Sequence, residues 1–207
     1  ELKKIVSLLA CLIFLTSLTL GEIIKSSEES LIDEIDFSLD ENVSPLRLTL
    51  KRIDIWTTIN QEIKTKKELD LARLRLIQAR NFARENNSVA MEKALEAHER
   101  IIERVENRMK NLRENEEDIE KLVGLERAVY VHRLRIERTN QKLSESEISE
   151  QQRERWEKSV DNTEKVIERI EKIQEQNRER VVNRVMENQG KTIEEVEEII
   201  SNIEIAQ

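Results

Sequence analysis

Two histidines are the only side chains in this 207-residue chain with an ordinary pKa near neutrality, and both fall on apolar seams. His98 lies in the series Met91, Leu95, His98, Ile102, Val105, Met109, Leu112. His132 lies in Leu122, Leu125, Val129, His132, Ile136, Thr139, Leu143. Imidazoles meeting across a helix pair would bind a metal or sense pH. Neither histidine has a ligand type four residues away: Ala94 and Ile102 flank His98, and Ala128 and Ile136 flank His132. Di-metal sites in helical bundles use Glu-x-x-His, and three residues back stand Leu95 and Val129. The plainer reading is a pair of core-edge histidines, each bonded to a neighbouring Glu or Gln, with no metal or cofactor.

Other chemistry is sparse. The one cysteine, Cys11, sits in an apolar N-terminal block, and no Gly-x-Ser-x-Gly, His-Glu-x-x-His or phosphate-cradling glycine loop occurs. The acidic runs at 114–120 and 194–198 lack the alternating oxygen ligands and central glycine of a calcium loop, so they read as solvated helix faces. Arginines at 73, 75, 80 and 84, and at 178, 180 and 184, are spread around their helices, which suits i,i+4 charge pairs better than phosphate binding. Asn42 and Asn86 head glycosylation sequons in expected loops, relevant where the host glycosylates exported proteins. No catalytic residue emerges, and the chain reads as non-enzymatic.

The elements that carry these residues are helices. Charged residues make up 38% of the chain against three glycines, one proline and 3% aromatics, a balance of long helices and not of sheets. Ser44 and Pro45 open a first helix with Leu46, Leu50, Ile53 and Trp56 as its inward stripe. A second, over 63–85, turns Leu69, Ala72, Leu76, Ala79 and Ala83 inward, and Asn86, Asn87 and Ser88 form a turn. The two histidine seams make the third and fourth helices, with Gly124 a bend or an end. Ser144 and Glu147 cap a fifth helix, 148–188, which turns Trp156, Val160, Thr163, Ile167 and Ile170 inward and stops at Gly190. Thr192 and Glu195 cap a last one, 192–205, placed at the periphery. Sustained 3-4 spacing with short connections predicts an all-α antiparallel bundle of five or six long amphipathic helices with coiled-coil-like seams.

Ahead of this bundle domain, 44–207, stand two further segments. Residues 5–21 are uncharged and apolar behind Lys3 and Lys4, the pattern of an export leader cleaved after Gly21. Their length falls just short of the about 18–20 residues of a membrane span, so an anchor remains an alternative, and Leu8-Leu9-Ala10-Cys11 is a weaker lipoprotein reading. All three put the bulk of the chain outside the cytoplasm, secreted or held at the outer face of the cytoplasmic membrane. Residues 22–43 form an acidic spacer. The net charge of −8 becomes −9 once residues 1–21, with two lysines and one glutamate, are removed. That surface disfavours nucleic acid, leaving a protein partner or self-association, with membrane contact only through the N-terminal segment.

Residues 44–143 resemble the exported helical proteins of the domain-of-unknown-function 5667 family. The shared positions are Ser44, Pro45, Leu46, Lys51, Arg52, Lys64, Leu69, Ala72, Arg75, Leu76, Ala79, Ala83 and Asn87, followed by Leu125-Glu126-Arg127. Arg47 replaces an aromatic usual in that family, one extra residue precedes Lys51, and Lys67 stands where leucine is common. The resemblance implies an extracytoplasmic all-helical domain and no assigned activity. Two functions follow from the sequence: a structural or interaction module at the cell surface, and a holdase that would use Trp56 and Trp156 as surface patches. A metal carrier built on His98 and His132 is a distant third.

Overall fold

In a computed structural model, residues 31–33, 35, 43–111 and 119–206 are described. The chain divides into two units, Glu1–Glu41 and Asn42–Gln207, and six helices, α1 to α6, make up the second. The leader at 1–21 and most of the spacer at 22–43 lie outside the described residues, as do Asn42, Leu112 and the acidic residues 114–118. The all-α class holds: among the described residues there is no strand, and no helix is long and apolar enough to cross a membrane.

Helix α1, Pro45–Thr57, starts as its sequence dictates. Ser44 Oγ accepts the Arg47 N–H at 3.3 Å, and Pro45 occupies the first turn, where its missing N–H goes unneeded. Its orientation reverses the expectation. Leu48 and Ile55 are buried, whereas Leu46, Leu50, Ile53 and Trp56 face solvent, Trp56 with 81% of its surface exposed. The cause lies on the flanks. Lys51 pairs with Asp70 at 2.6 Å, and Lys67 bridges Asp54 and Thr58 at 2.6 and 3.0 Å. These ties fix the narrow Leu48/Ile55 face inward. Trp56→Gln and Leu50→Gln should therefore shift stability by under about 0.5 kcal/mol, against several for an inward stripe, as read from urea midpoints.

Helix α2, Gln61–Arg84, is capped by Asn60, whose Oδ1 accepts the Ile63 N–H at 3.0 Å. The expected stripe is buried, but so are Leu71, Leu74 and Ile77 on other faces. Burial on more than one face makes α2 the central helix, and it packs on α1, α3 and α4. The turn to α3, Ser88–Asn111, has Asn86 at φ +57°, a left-handed position that asparagine tolerates, and Asn87 Oδ1 caps α3 at the Ala90 N–H.

Helix α4, Ile119–Ser144, continues through the buried Gly124, which therefore does not end it. The next cap differs from the expected one. Ser144 closes α4, and the capping box that starts α5, Glu150–Gln189, is Ser149 with Gln152. Gln152 is also fully buried, and its Nε2 donates to the Ala83 carbonyl at 3.4 Å, so the cap clamps the far end of α2. Ser144 with Glu147 has no such tertiary contact to close on.

Side-chain pairs give the helix directions. Glu92 with Arg155 and Glu106 with Arg169 keep one offset, so α3 and α5 run parallel. Arg108 with Glu68, and Trp156 with Asn140 against Arg178 with Glu126, make α2/α3 and α4/α5 antiparallel hairpins. Consecutive helices thus alternate in direction, while the four pack in the order α2, α3, α5, α4, which places α3 and α4 on the diagonal.

At about 1.5 Å per residue, α5 is roughly 60 Å long and overruns this core. Its second half joins the start of α4 and all of α6, Ile193–Ala206, in a separate cluster of Ile119, Leu122, Val123, Val181, Val185, Val196 and Ile200. The last helix is thus packed, with Val196 and Ile200 buried. Gly190 joins α5 to it at φ +65°. A Cβ there would meet nothing within 4 Å, so the cost is the backbone's alone. Gly190→Ala should lose about 1 kcal/mol, seen first as faster hydrogen exchange in α6.

Candidate functional site

Helices α3 and α4 meet across the bundle diagonal at His98 and His132. Both seams point inward, and Met91, Leu95, Ile102, Val105 and Met109 on α3, with Leu125, Val129 and Ile136 on α4, are buried. The imidazoles stand Nε2 to Nε2 at 3.1 Å, ring centroids 5.3 Å apart and planes inclined by 29°. They are 2% and 1% exposed. The expectation of core-edge histidines bonded to Glu or Gln gives way: they lie fully inside and bond to each other. A seam position makes a residue face inward, but which helix stands opposite depends on the diagonal packing. No local pattern carries that.

One Nε2 must donate and the other accept. The buried Nδ1 of His132 has no hydrogen-bond partner. A buried lone pair without a partner costs less than a buried N–H without one. The His132 proton therefore belongs on Nε2, and His98 is the acceptor. Burial lowers the His98 pKa to about 4. Burial also pushes His132 well below the ordinary value, reinforced by His98, Arg135 and Arg73. The pair is neutral at pH 7.

A 3.1 Å separation is close to the roughly 3.3 Å between two nitrogens sharing a tetrahedral ion with bonds of about 2.05 Å. The rest of the shell does not match. Among the described residues no group of three or more His, Cys, Asp or Glu side chains is placed to hold an ion. The permanent charges acting on His132 are those of Arg135 and Arg73, which repel a cation. The geometry fits a shared proton better than a shared metal.

No family model, curated protein or solved structure matches the chain.

The remaining charged residues are mostly structural. Glu106 is buried under Arg169, which binds it through two nitrogens at 3.0 Å each, with Lys110 at 2.7 Å, and its pKa is held below the usual carboxylate value. Glu68 takes the same two-pronged grip from Arg108. Arg178 reaches Glu126 on α4 and Glu204 on α6, so it ties helices together and is no i,i+4 pair. Asn86 is exposed in its turn.

The feature that sequence reasoning missed is the outward apolar surface of α1. Leu46, Leu50, Ile53 and Trp56 continue past the helix end through Ile59 and Ile63, the former 91% exposed. The signal was present: α1 carries apolar residues on two opposite faces, and only one can pack on α2.

Proposed function

We propose that the chain is a non-enzymatic interaction module outside the cytoplasm, a rigid helical body that presents α1 to a protein partner. The observation that carries this is the unpaired apolar stripe of α1. The six exposed side chains sum to on the order of 800 Å² of surface, near one partner's share of an ordinary interface and more than scattered surface leucines account for. Export rests on the apolar block at 5–21 behind two lysines, and the resemblance of residues 44–143 to exported helical proteins supports it. The intact mass of the native protein from soluble and membrane fractions tests that part. A soluble chain starting at Glu22 means a cleaved leader, a full-length chain in the membrane an anchor, and a full-length chain in the cytoplasm overturns export.

A photo-cross-linking residue at Leu50 of the full chain, in its host cells, tests the surface. One or a few discrete adducts, absent when the cross-linker replaces the exposed Glu164, are the expected outcome. No adduct at Leu50 would sink the reading. A broad ladder would favour the holdase alternative. That alternative keeps one motive, the exposed Trp56, and loses the other, because Trp156 is 1% exposed.

A further inference from the structure

The apolar stripe does not stand alone. Trp56 and Ile55 pass from α1 into a groove of about 350 Å³ closed by α2 and α3, with Leu71 and Ile101 on its floor. The rim is basic: Arg52, Lys64, Arg100 and Arg104. Among the described residues, Arg52 and Lys64 hold no ion pair. Arg100 pairs with Glu96, at 3.4 Å with both side chains more than half exposed. The lone carboxylate in the groove, Glu68, is already gripped by Arg108 and stands 3.6 Å from Arg104. A further cation, Arg75, lies close enough for Arg52 and Arg100 to add to the effect of burial in lowering its pKa. In a chain of net charge −8, this is a local excess of positive charge around an apolar floor.

From this we infer that the groove and the α1 stripe dock an acidic amphipathic helix of a partner protein, its apolar face on Trp56, Ile53 and Leu50 and its carboxylates on Arg52, Lys64, Arg100 and Arg104. The inference rests on the interaction-module reading and names the chemistry of the partner. Charge complementarity selects this occupant. A second copy pairing stripe to stripe about a two-fold axis would bring Arg52 and its neighbouring cations towards their own counterparts. An anionic bilayer would suit the groove, but it would face the acidic remainder of the domain across a much wider footprint. A single helix engages only the basic groove. Helix α1 is about 20 Å long, the length of three to four turns of a docked helix.

The test uses the full-length chain and a fluorescein-labelled helical peptide with Leu along one face and Glu on the other. Its readouts are anisotropy and acrylamide quenching of tryptophan, which reports Trp56 because Trp156 is buried. The Glu peptide should bind saturably and shield Trp56. Its dissociation constant should rise at least tenfold in Arg52→Glu/Lys64→Glu, and again at high salt or when its glutamates become lysines. Both substitutions are at the surface, and an unchanged melting temperature shows that the variant is folded. Equal binding by the lysine peptide, or by the charge-reversed variant, overturns the inference. So does shielding of Trp56 only by phosphatidylglycerol vesicles, which assigns the surface to lipid and removes the protein-partner reading as well, or only on concentrating the protein to a doubled mass, which assigns it to a second copy and leaves the interaction-module reading intact. If Trp56 stays quenchable under every probe, that reading itself fails.

Discussion

Trp156→Ala should lower the unfolding free energy by about 3–5 kcal/mol, a large part of the roughly 5–15 that holds a domain together. Trp156 stands where all four core helices converge. Its own helix α5 is tied to α2 by Gln152 on Ala83 and to α3 by Arg155 on Glu92, and its indole N–H donates to Asn140 on α4 at 3.1 Å. With the side chain 1% exposed, truncation leaves a cavity that four constrained helices cannot close. Trp156→Phe should cost only about 1–2 kcal/mol. It keeps most of the volume, and Asn140, which is exposed, can turn to water. Urea midpoints with an unchanged slope check both values. The alanine variant should also emit at the red limit, because its one remaining tryptophan, Trp56, faces solvent. A loss under 1 kcal/mol would mean that the four helices do not share this layer.

Much of the bundle is readable in the sequence because 3-4 spacing survives packing. The seams of α2 to α5 are buried at every expected position that is described, and α5 stops at Gly190, whose left-handed backbone closes that end. The failures share one cause, a choice made by tertiary contacts between locally equal options. Helix α1 offers a wide apolar face and a narrow one, and spacing favours the wide one. Ion pairs from Asp70 and Lys67 turn the narrow one inward. Ser144 and Ser149 each head a capping pattern, and the second wins because Gln152 also reaches Ala83. The seams announce two inward histidines, but their meeting depends on α3 and α4 lying across the diagonal. That arrangement is set by which hairpin faces pair.

Stability should fall steeply between pH 6.5 and 4, and the histidine pair supplies the slope. In the unfolded chain each imidazole takes up a proton near pH 6.5, while in the fold burial holds His98 at about 4 and pushes His132 well below its ordinary value. A folded pKa below the unfolded one means that the unfolded state binds more protons across this window, so stability is intact above about pH 6.5 and is lost as pH falls. His98 alone accounts for roughly 3 kcal/mol by pH 4, and His132 adds in the same direction. The guanidiniums acting on His132, from Arg73 on α2 and Arg135 on α4, stay charged throughout, so they oppose the incoming proton without titrating themselves. Asp70 and Glu106, with depressed pKa values, add their own loss in more acid solution. A variant with both histidines replaced by leucine separates the contributions. It keeps the carboxylate loss, flattens the curve between pH 6.5 and 4, and stays close to the native stability at pH 7, since two partnered polar groups leave together. His98→Leu alone should be worse at pH 7 by about 1–3 kcal/mol, because it strands the His132 N–H in the core. Urea titrations at a series of pH values give all three curves. A double variant as pH-sensitive as the native chain would remove the pair as the source. A flattened curve would make it the element through which the bundle registers acid.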